Sequence, residues 1–307
     1  MTRVPAPPYE FRTVPVRGGE LAVGVWGDAD AAQTVLVVHG VTASHQSWPL
    51  VAQNLPGVRV IAPDLRGRGR SNALPGPYGM PQHADDLAAV LDAFDLDRVV
   101  VVGHSMGGFA SLVLAHRHPE RVSELVLVDG GLPLAVPPDV TPAEFTRMVL
   151  GPAQDRLSMT FESVDSYLDF WRHHPAFAND WSQTIKDYVA YDLDGDAPEL
   201  RPSTSYRAVE EDSAEQLAGT NSVTSAVEAL AHPAIFLRAP RGLLDADPLY
   251  TPEYVAKWSE KLTTLSTMEV DDVNHYTIVL GDAGAKLVAG AVTQVLARHT
   301  TKAGTTA

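Results

Sequence analysis

The sequence predicts an α/β fold built on a mostly parallel sheet, and three observations carry that expectation. Four short runs are apolar almost throughout: TVLVVHG (residues 34–40), VRVIAPD (58–64), RVVVVGHS (98–105) and ELVLVDG (124–130). Such runs suit strands covered on both faces. Helical stretches separate them, as where PQHADDLAAVLDAFDL spaces Leu87, Val90, Leu91 and Phe94 along one helical face. The alternation lapses after Gly131 and resumes only at AIFLRAP (234–240). Strand alternating with helix implies parallel strands joined by right-handed crossovers.

The elements follow in order. FRTVPVRGG and ELAVGVWG read as an antiparallel pair joined by Gly18 and Gly19. The four apolar runs and their helices follow, with MGGFASLVLAHRHPE directly after the third run. Residues 132–232 are rich in prolines, aromatics and short helical stretches, without a strand run of their own. A segment of this length between two sheet strands reads as an inserted helical lid. The sheet core is therefore expected over 1–131 and 233–299. Its second part holds the helix PEYVAKWSEKL, a last strand near LSTMEVDD and a C-terminal helix from Asp282 to His299. Residues 300–307 are expected to be a disordered tail.

Composition narrows the function classes. The 307 residues are 45% hydrophobic and 20% charged, which is ordinary for a globular protein. There is no cysteine, hence no disulfide, thiolate metal site or cysteine nucleophile. The first residues, MTRVPAPPYEF, do not resemble a signal peptide, and no segment approaches the roughly 20 apolar residues that span a bilayer. The expectation is a soluble, cytoplasmic protein without a membrane partner. A net charge of −15 argues against nucleic acid as a partner. Oligomeric state is left open, a homodimer being one option.

The strongest chemical signal is VVVVGHSMGG. Gly103-His104-Ser105-Met106-Gly107 fits G-x-S-x-G, with an apolar strand before it and a helix after it. That turn is tight enough to force the serine into strained backbone geometry and to present its hydroxyl, while the helix N-terminus directs free N–H groups at the same point. Ser105 is the candidate nucleophile.

With these residues the chain resembles the α/β-hydrolase superfamily from about Phe11 to His299. The resemblance rests on VVHG (37–40), APDLRGRGRS (62–71), GHSMGG (103–108) and VNHY (273–276). It implies a mostly parallel eight-stranded sheet with a lid inserted after the sixth strand, and the chain order Ser…acid…His. Of eleven histidines, only His275 follows the last strand in a loop before the C-terminal helix, as the general base should. The resemblance also implies an oxyanion hole from the backbone N–H groups of Val41 and Met106. His39 and Gly40 are expected to shape their turn. Arg66, Arg68 and Arg70 are read as structural in the acidic chain, His116, His118 and His299 as helix-end residues. Adjacent His173 and His174 lack further ligands, so no metal and no organic cofactor is expected.

The carboxylate that orients His275 has three candidates. Many relatives place it after the seventh strand, where RAPRGLLDADPLY offers Asp247 and then Asp245, each beyond a lengthened loop. Asp129 ends the sixth strand and is followed by two glycines that let the chain turn away. Asp129 is preferred, with Asp247 and Asp245 kept as alternatives.

A serine nucleophile implies acyl transfer to water through an acyl-enzyme. The lid supplies Phe161, Tyr167, Phe170, Trp171, Phe177, Trp181, Tyr188 and Tyr191. The expected partner is a small, apolar, aromatic ester or lactone. The acid position and aromatic lid are similar to those of the zearalenone-type lactonases, a resemblance that puts a lid tryptophan, here Trp181, at the substrate. C–C bond hydrolysis of a vinylogous diketone and a hydrolase-fold receptor with little turnover are the alternatives.

Overall fold

The computed structural model describes residues 6–135, 139–141, 144, 147, 155–217 and 222–303. The apolar runs form strands where expected. The hairpin β1 (Tyr9–Val16) and β2 (Gly19–Trp26) is followed by β3 (Gln33–Val38), β4 (Val58–Pro63), β5 (Val99–His104) and β6 (Val122–Val128). The later strands are β7 (Ala234–Arg238) and β8 (Leu265–Glu269). They make one eight-stranded sheet in the order β1-β2-β4-β3-β5-β6-β7-β8. The β1/β2 and β2/β4 pairs are antiparallel and the others parallel.

Both faces of the central strands are covered, which is why their sequences do not alternate in polarity. Along β5 the side chains still alternate in direction. Val99 and Val101 enter one apolar layer with helices α2 (Met80–Ala93) and α3 (Met106–Arg117). Val100 and Val102 enter the other, with α1 (Pro49–Gln53), the insertion and the C-terminal helix. A fully buried valine or leucine contributes about 1.5–3 kcal/mol. These two layers are the main hold on the register of β5 against β6, which pairs His104 with Val128.

Between β6 and β7 lie α4 (Val164–Arg172), α5 (Gln183–Tyr191), α6 (Tyr206–Leu217) and α7 (Ser222–Glu228). α4 begins with a reciprocal cap, in which the Ser163 hydroxyl accepts from Ser166 N at 3.1 Å. Two findings differ from the expected 132–232 lid. Leu193–Asp194 pairs with Arg201–Pro202 in a two-residue antiparallel ladder. α7 packs Val223, Ala226 and Val227 into the layer that holds α3, so this helix is part of the core's packing, because its apolar stripe matches that face. Residues 136–138, 142–143, 145–146, 148–154 and 218–221 of the expected lid lie outside the described residues.

The second part of the core holds α8 (Pro252–Lys261), the short α9 (Thr277–Leu280) and α10 (Asp282–Ala303). α10 runs past His299, so residues 300–303 are helical rather than a tail, with no glycine or proline before Gly304 to stop them. Residues 304–307 lie outside the described residues. No helix among the described residues is long and apolar enough to cross a membrane.

Candidate active site

Two strand ends define the site. Ser105 follows β5 with φ 54° and ψ −124°, a conformation that non-glycine residues rarely adopt. Its N–H donates to Val128 O at 3.0 Å, tying the turn to β6. The turn is possible because a Cβ on Gly107 would lie 2.1 Å from Val38 O, and one on Gly103 2.4 Å from Gly107 O. Asp129 follows β6 at the corresponding place, with φ 44°. Because His104 pairs with Val128, Ser105 and Asp129 stand side by side at one edge of the sheet.

Asp129 is fully buried. Its Oδ2 accepts from His275 Nδ1 at 2.7 Å and its Oδ1 from Ala239 N at 3.1 Å. An ionised carboxylate only accepts, so Nδ1 carries the ring proton and Nε2 keeps its lone pair when the imidazole is neutral. Asp247 is exposed and does not reach His275. Asp245 holds the neighbouring residue instead: its Oδ1 accepts from Asn274 Nδ2 at 3.0 Å and from Arg241 Nε at 2.6 Å. The carboxylate on His275 is therefore Asp129, and Asp245 braces the loop that carries the histidine.

Further contacts fix that loop. Asn274 Nδ2 donates to Ala176 O at 2.8 Å, and Asn274 Oδ1 accepts from Tyr276 N at 3.0 Å and Thr277 N at 2.9 Å. His104 Nε2 donates to His275 O at 2.8 Å. Burial, followed by the nearby His275, keeps the His104 pKa well below the usual histidine range, so this ring works as a neutral strut. Neither His104 nor Asn274 stood out in the sequence; their adjacency to Ser105 and His275 was the available signal.

Ser105 and His275 line one cavity with Val41, Tyr188, Leu243 and Tyr276. Their side chains make no direct hydrogen bond, a looseness common before substrate tightens such a site. Val41 begins the turn after β3, and Met106 is the first residue of α3. One arginine joins them: Arg68 Nε donates to Val41 O at 2.9 Å, and its Nη2 lies 3.7 Å from Met106 Sδ. His39 Nδ1 donates to Gly40 O at 2.8 Å while its Nε2 accepts from Leu65 N at 2.9 Å. That arrangement requires a neutral ring, and burial lowers its pKa to about 4.

The arginines of DLRGRGRS serve the fold. Arg66 forks onto the buried Asp86 at 2.9 and 2.8 Å, and Arg68 pairs with the buried Asp212 at 2.5 Å. Burial alone would raise the Asp212 pKa, but Arg68 and His83 hold it down to about 2. Arg70 lies over the Tyr191 ring. His173 Nδ1 donates to Asp169 O on an exposed helix end, and His174 caps Ala176 N. His116 and His118 end α3, and His299 lies 3.4 Å from Glu124.

Trp181 falls elsewhere than its expected place. It packs against Phe177, ring centres 6.3 Å apart, and does not border the Ser105 cavity. Phe161, Tyr167, Phe170, Trp171 and Phe177 likewise pack on one another. Among the described residues, the insertion side chain at the cavity is Tyr188, joined there by Tyr276 from the histidine loop.

Comparison with known proteins agrees with this architecture. A family model described as alpha/beta hydrolase fold matches residues 33–281. Lipase LipV of Mycobacterium tuberculosis is 40% identical over 115 residues, 38% of this chain and 43% of that protein. The 2-hydroxy-6-oxo-2,4-heptadienoate hydrolase of Pseudomonas putida is 31% identical over 188 residues, 59% of this chain and 58% of that protein. The chain spans about half the length of the curated relatives it matches. Among solved structures, E-2-(acetamidomethylene)succinate hydrolase superposes with a TM-score of 0.76 at 20% identity, covering 94% of this chain and 98% of that one. With the family model covering most of its length, the chain belongs to the α/β-hydrolase fold family.

Proposed function

We propose that the protein is a serine hydrolase that cleaves a carboxylic ester or lactone of an apolar, aromatic small molecule through an acyl-enzyme, without a cofactor. The observation that carries this reading is the 2.7 Å contact from His275 Nδ1 to the buried Asp129, beside a serine held at φ 54° on the same cavity. In this mechanism His275 Nε2 takes the Ser105 proton as Oγ attacks the carbonyl carbon. The tetrahedral oxyanion is met by the N–H groups of Val41 and Met106, each such donor being worth about 10²–10³ in rate. His275 then gives its proton to the leaving oxygen. Water repeats the sequence on the acyl-enzyme and releases the acid. Asp129 keeps the ring in the required tautomer and stabilises the imidazolium. The insertion acts as a lid, with Tyr188 contacting the substrate.

A second reading is C–C bond hydrolysis of a vinylogous diketone by the same residues, favoured by the 31% identity to the heptadienoate hydrolase. One assay separates the readings: p-nitrophenyl acetate and butyrate, dihydrocoumarin and a 2-hydroxy-6-oxo-dienoate, each with wild type and Ser105→Ala. Ester hydrolysis is expected, with kcat/KM of about 10⁴ M⁻¹ s⁻¹ or more and dependence on Ser105. Turnover of the dienoate alone would replace the ester reading with the C–C reading. Tight binding without turnover of any substrate would make the protein a receptor.

A further inference from the structure

The wall of the Ser105 cavity is fastened to the core at a point the mechanism does not use. Asp64 ends β4 beyond Pro63 and is fully buried. Its Oδ1 accepts from His45 N at 2.7 Å and His45 Nδ1 at 2.9 Å; its Oδ2 accepts from Arg70 N at 2.9 Å and from the Tyr191 hydroxyl at 2.8 Å. One carboxylate thus ties together two walls. His45 belongs to the loop that runs from Val41 to Ser47 along the cavity, and Tyr191 ends α5 one turn after Tyr188. Arg70 adds to the tie, with its guanidinium 4.6 Å from the Tyr191 ring centre and a 3.1 Å hydrogen bond to Leu193 O.

The cavity those walls enclose is about 30 Å³. That is room for about two water molecules, against ~300 Å³ at the lower end of small-molecule sites. An acetyl group approaches this size; a longer or aromatic acyl chain does not, so it requires the wall to move. Two of the insertion's fastenings among the described residues differ in kind. α6 is held by Asp212, which is wholly buried against Arg68, His83 and Gly79 N. α5 is held at its end by the hydroxyl of the half-buried Tyr191. The first resists opening and the second can release.

We propose that the Tyr191–Asp64 hydrogen bond is a latch that sets the width of the Ser105 cavity, making Tyr191 a positioning residue for acyl-chain size. The proposal rests on the hydrolase reading for its activity measurement. A large acyl group reaches Ser105 only in the unlatched fraction, and its apparent kcat/KM is lowered by that fraction. A small one is bound in the latched state.

The test is Tyr191→Phe, which removes the hydroxyl and keeps the ring against His45 and Arg70. The ratio of kcat/KM for p-nitrophenyl octanoate over p-nitrophenyl acetate should rise about tenfold, the order of a hydrogen bond to a charged acceptor. The acetate rate and the melting temperature should stay near wild type. Hydrogen exchange of the α5 amides (Gln183–Tyr191) should quicken. An unchanged octanoate-to-acetate ratio overturns the proposal, as does unchanged α5 exchange. A parallel fall for both esters would mean that Tyr191 supports the fold and not the size limit. If the wild type turned over neither ester, the hydrolase reading would fail, and the exchange measurement would still decide whether the hydroxyl latches α5.

Discussion

Replacing Asp129 by asparagine changes one atom's chemistry at a site with no spare room. The carboxylate is fully buried and makes two contacts, Oδ2 with His275 Nδ1 and Oδ1 with Ala239 N. In the variant the amide oxygen keeps the bond from Ala239 N, which fixes the amide's orientation. Its NH₂ then points at His275 Nδ1. Two donors cannot share that contact, so the imidazole moves its proton to Nε2 and presents a lone pair at Nδ1. In that tautomer Nε2 cannot take the Ser105 proton. The loss in kcat is expected to be about 10⁴, or about 5.4 kcal/mol of activation free energy, with the fold retained. The assay is kcat for p-nitrophenyl acetate, beside the melting temperature and two controls. Asp247→Asn should be near wild type because Asp247 is exposed. Asp245→Asn should lose far less than Asp129→Asn, since Asp245 bonds Asn274 and Arg241 and not His275 itself. An Asp129→Asn enzyme with more than about a tenth of wild-type kcat would show that the tautomer is not what limits the reaction.

Ser105→Ala and His275→Ala should each abolish ester turnover, and the double variant should be little worse than either; additive losses would place the two residues in different steps. Tyr188→Ala should raise KM for an aromatic ester more than for an acetate, whereas Trp181→Ala, which packs on Phe177, should affect both alike; a selective effect of Trp181 would return it to the substrate. Arg68→Met removes the arginine from the buried Asp212 and leaves it the contacts with His83 Nε2 and Gly79 N, so urea unfolding should show a loss of about 3–5 kcal/mol; a loss below about 1 kcal/mol would show that the ion pair is not needed there. Stability should fall with acidification below pH 6.5: burial lowers the His39 pKa to about 4, so between those values the unfolded chain binds the proton and the folded one does not. Melting temperatures from pH 7 to pH 4 check this, and a smaller decline in His39→Gln would assign it.

The central strands were legible because burial on both faces writes itself as an unbroken apolar run, and Ser105 because a tight strand-to-helix turn demands glycines at fixed spacing. Asp129 was legible as a strand-end acid, but only as a preference over Asp247 and Asp245. What separated them was the position of Asn274, which takes Asp245 as its partner across 29 residues. The insertion read poorly for a related reason. Aromatics at helical spacing reveal that a helix has an apolar face, not what that face meets. Thus Trp181 is the tryptophan expected at the substrate, whereas Tyr188 is the insertion residue that lines the Ser105 cavity among the described residues. The ladder of Leu193–Asp194 with Arg201–Pro202 is too short to carry a period. The Tyr191–Asp64 contact joins residues 127 apart, and no local signal marks either end.

The alignment of Ser105 with Asp129 has a consequence for how this protein can change over time. Each residue is the first beyond a strand, and the hydrogen-bond ladder of two neighbouring strands sets the distance between them. Many substitutions in the valine and leucine rows of β5 and β6 keep that spacing, provided volume and polarity are kept. A single-residue insertion or deletion in either strand does not. It moves one partner by about 3.3 Å along the ladder and turns its side chain to the opposite face. Tolerance of point substitution and intolerance of length change should therefore coexist in the same short segment. A deletion-and-insertion scan of residues 99–104 and 122–128, set against a substitution scan of the same positions, would display that contrast.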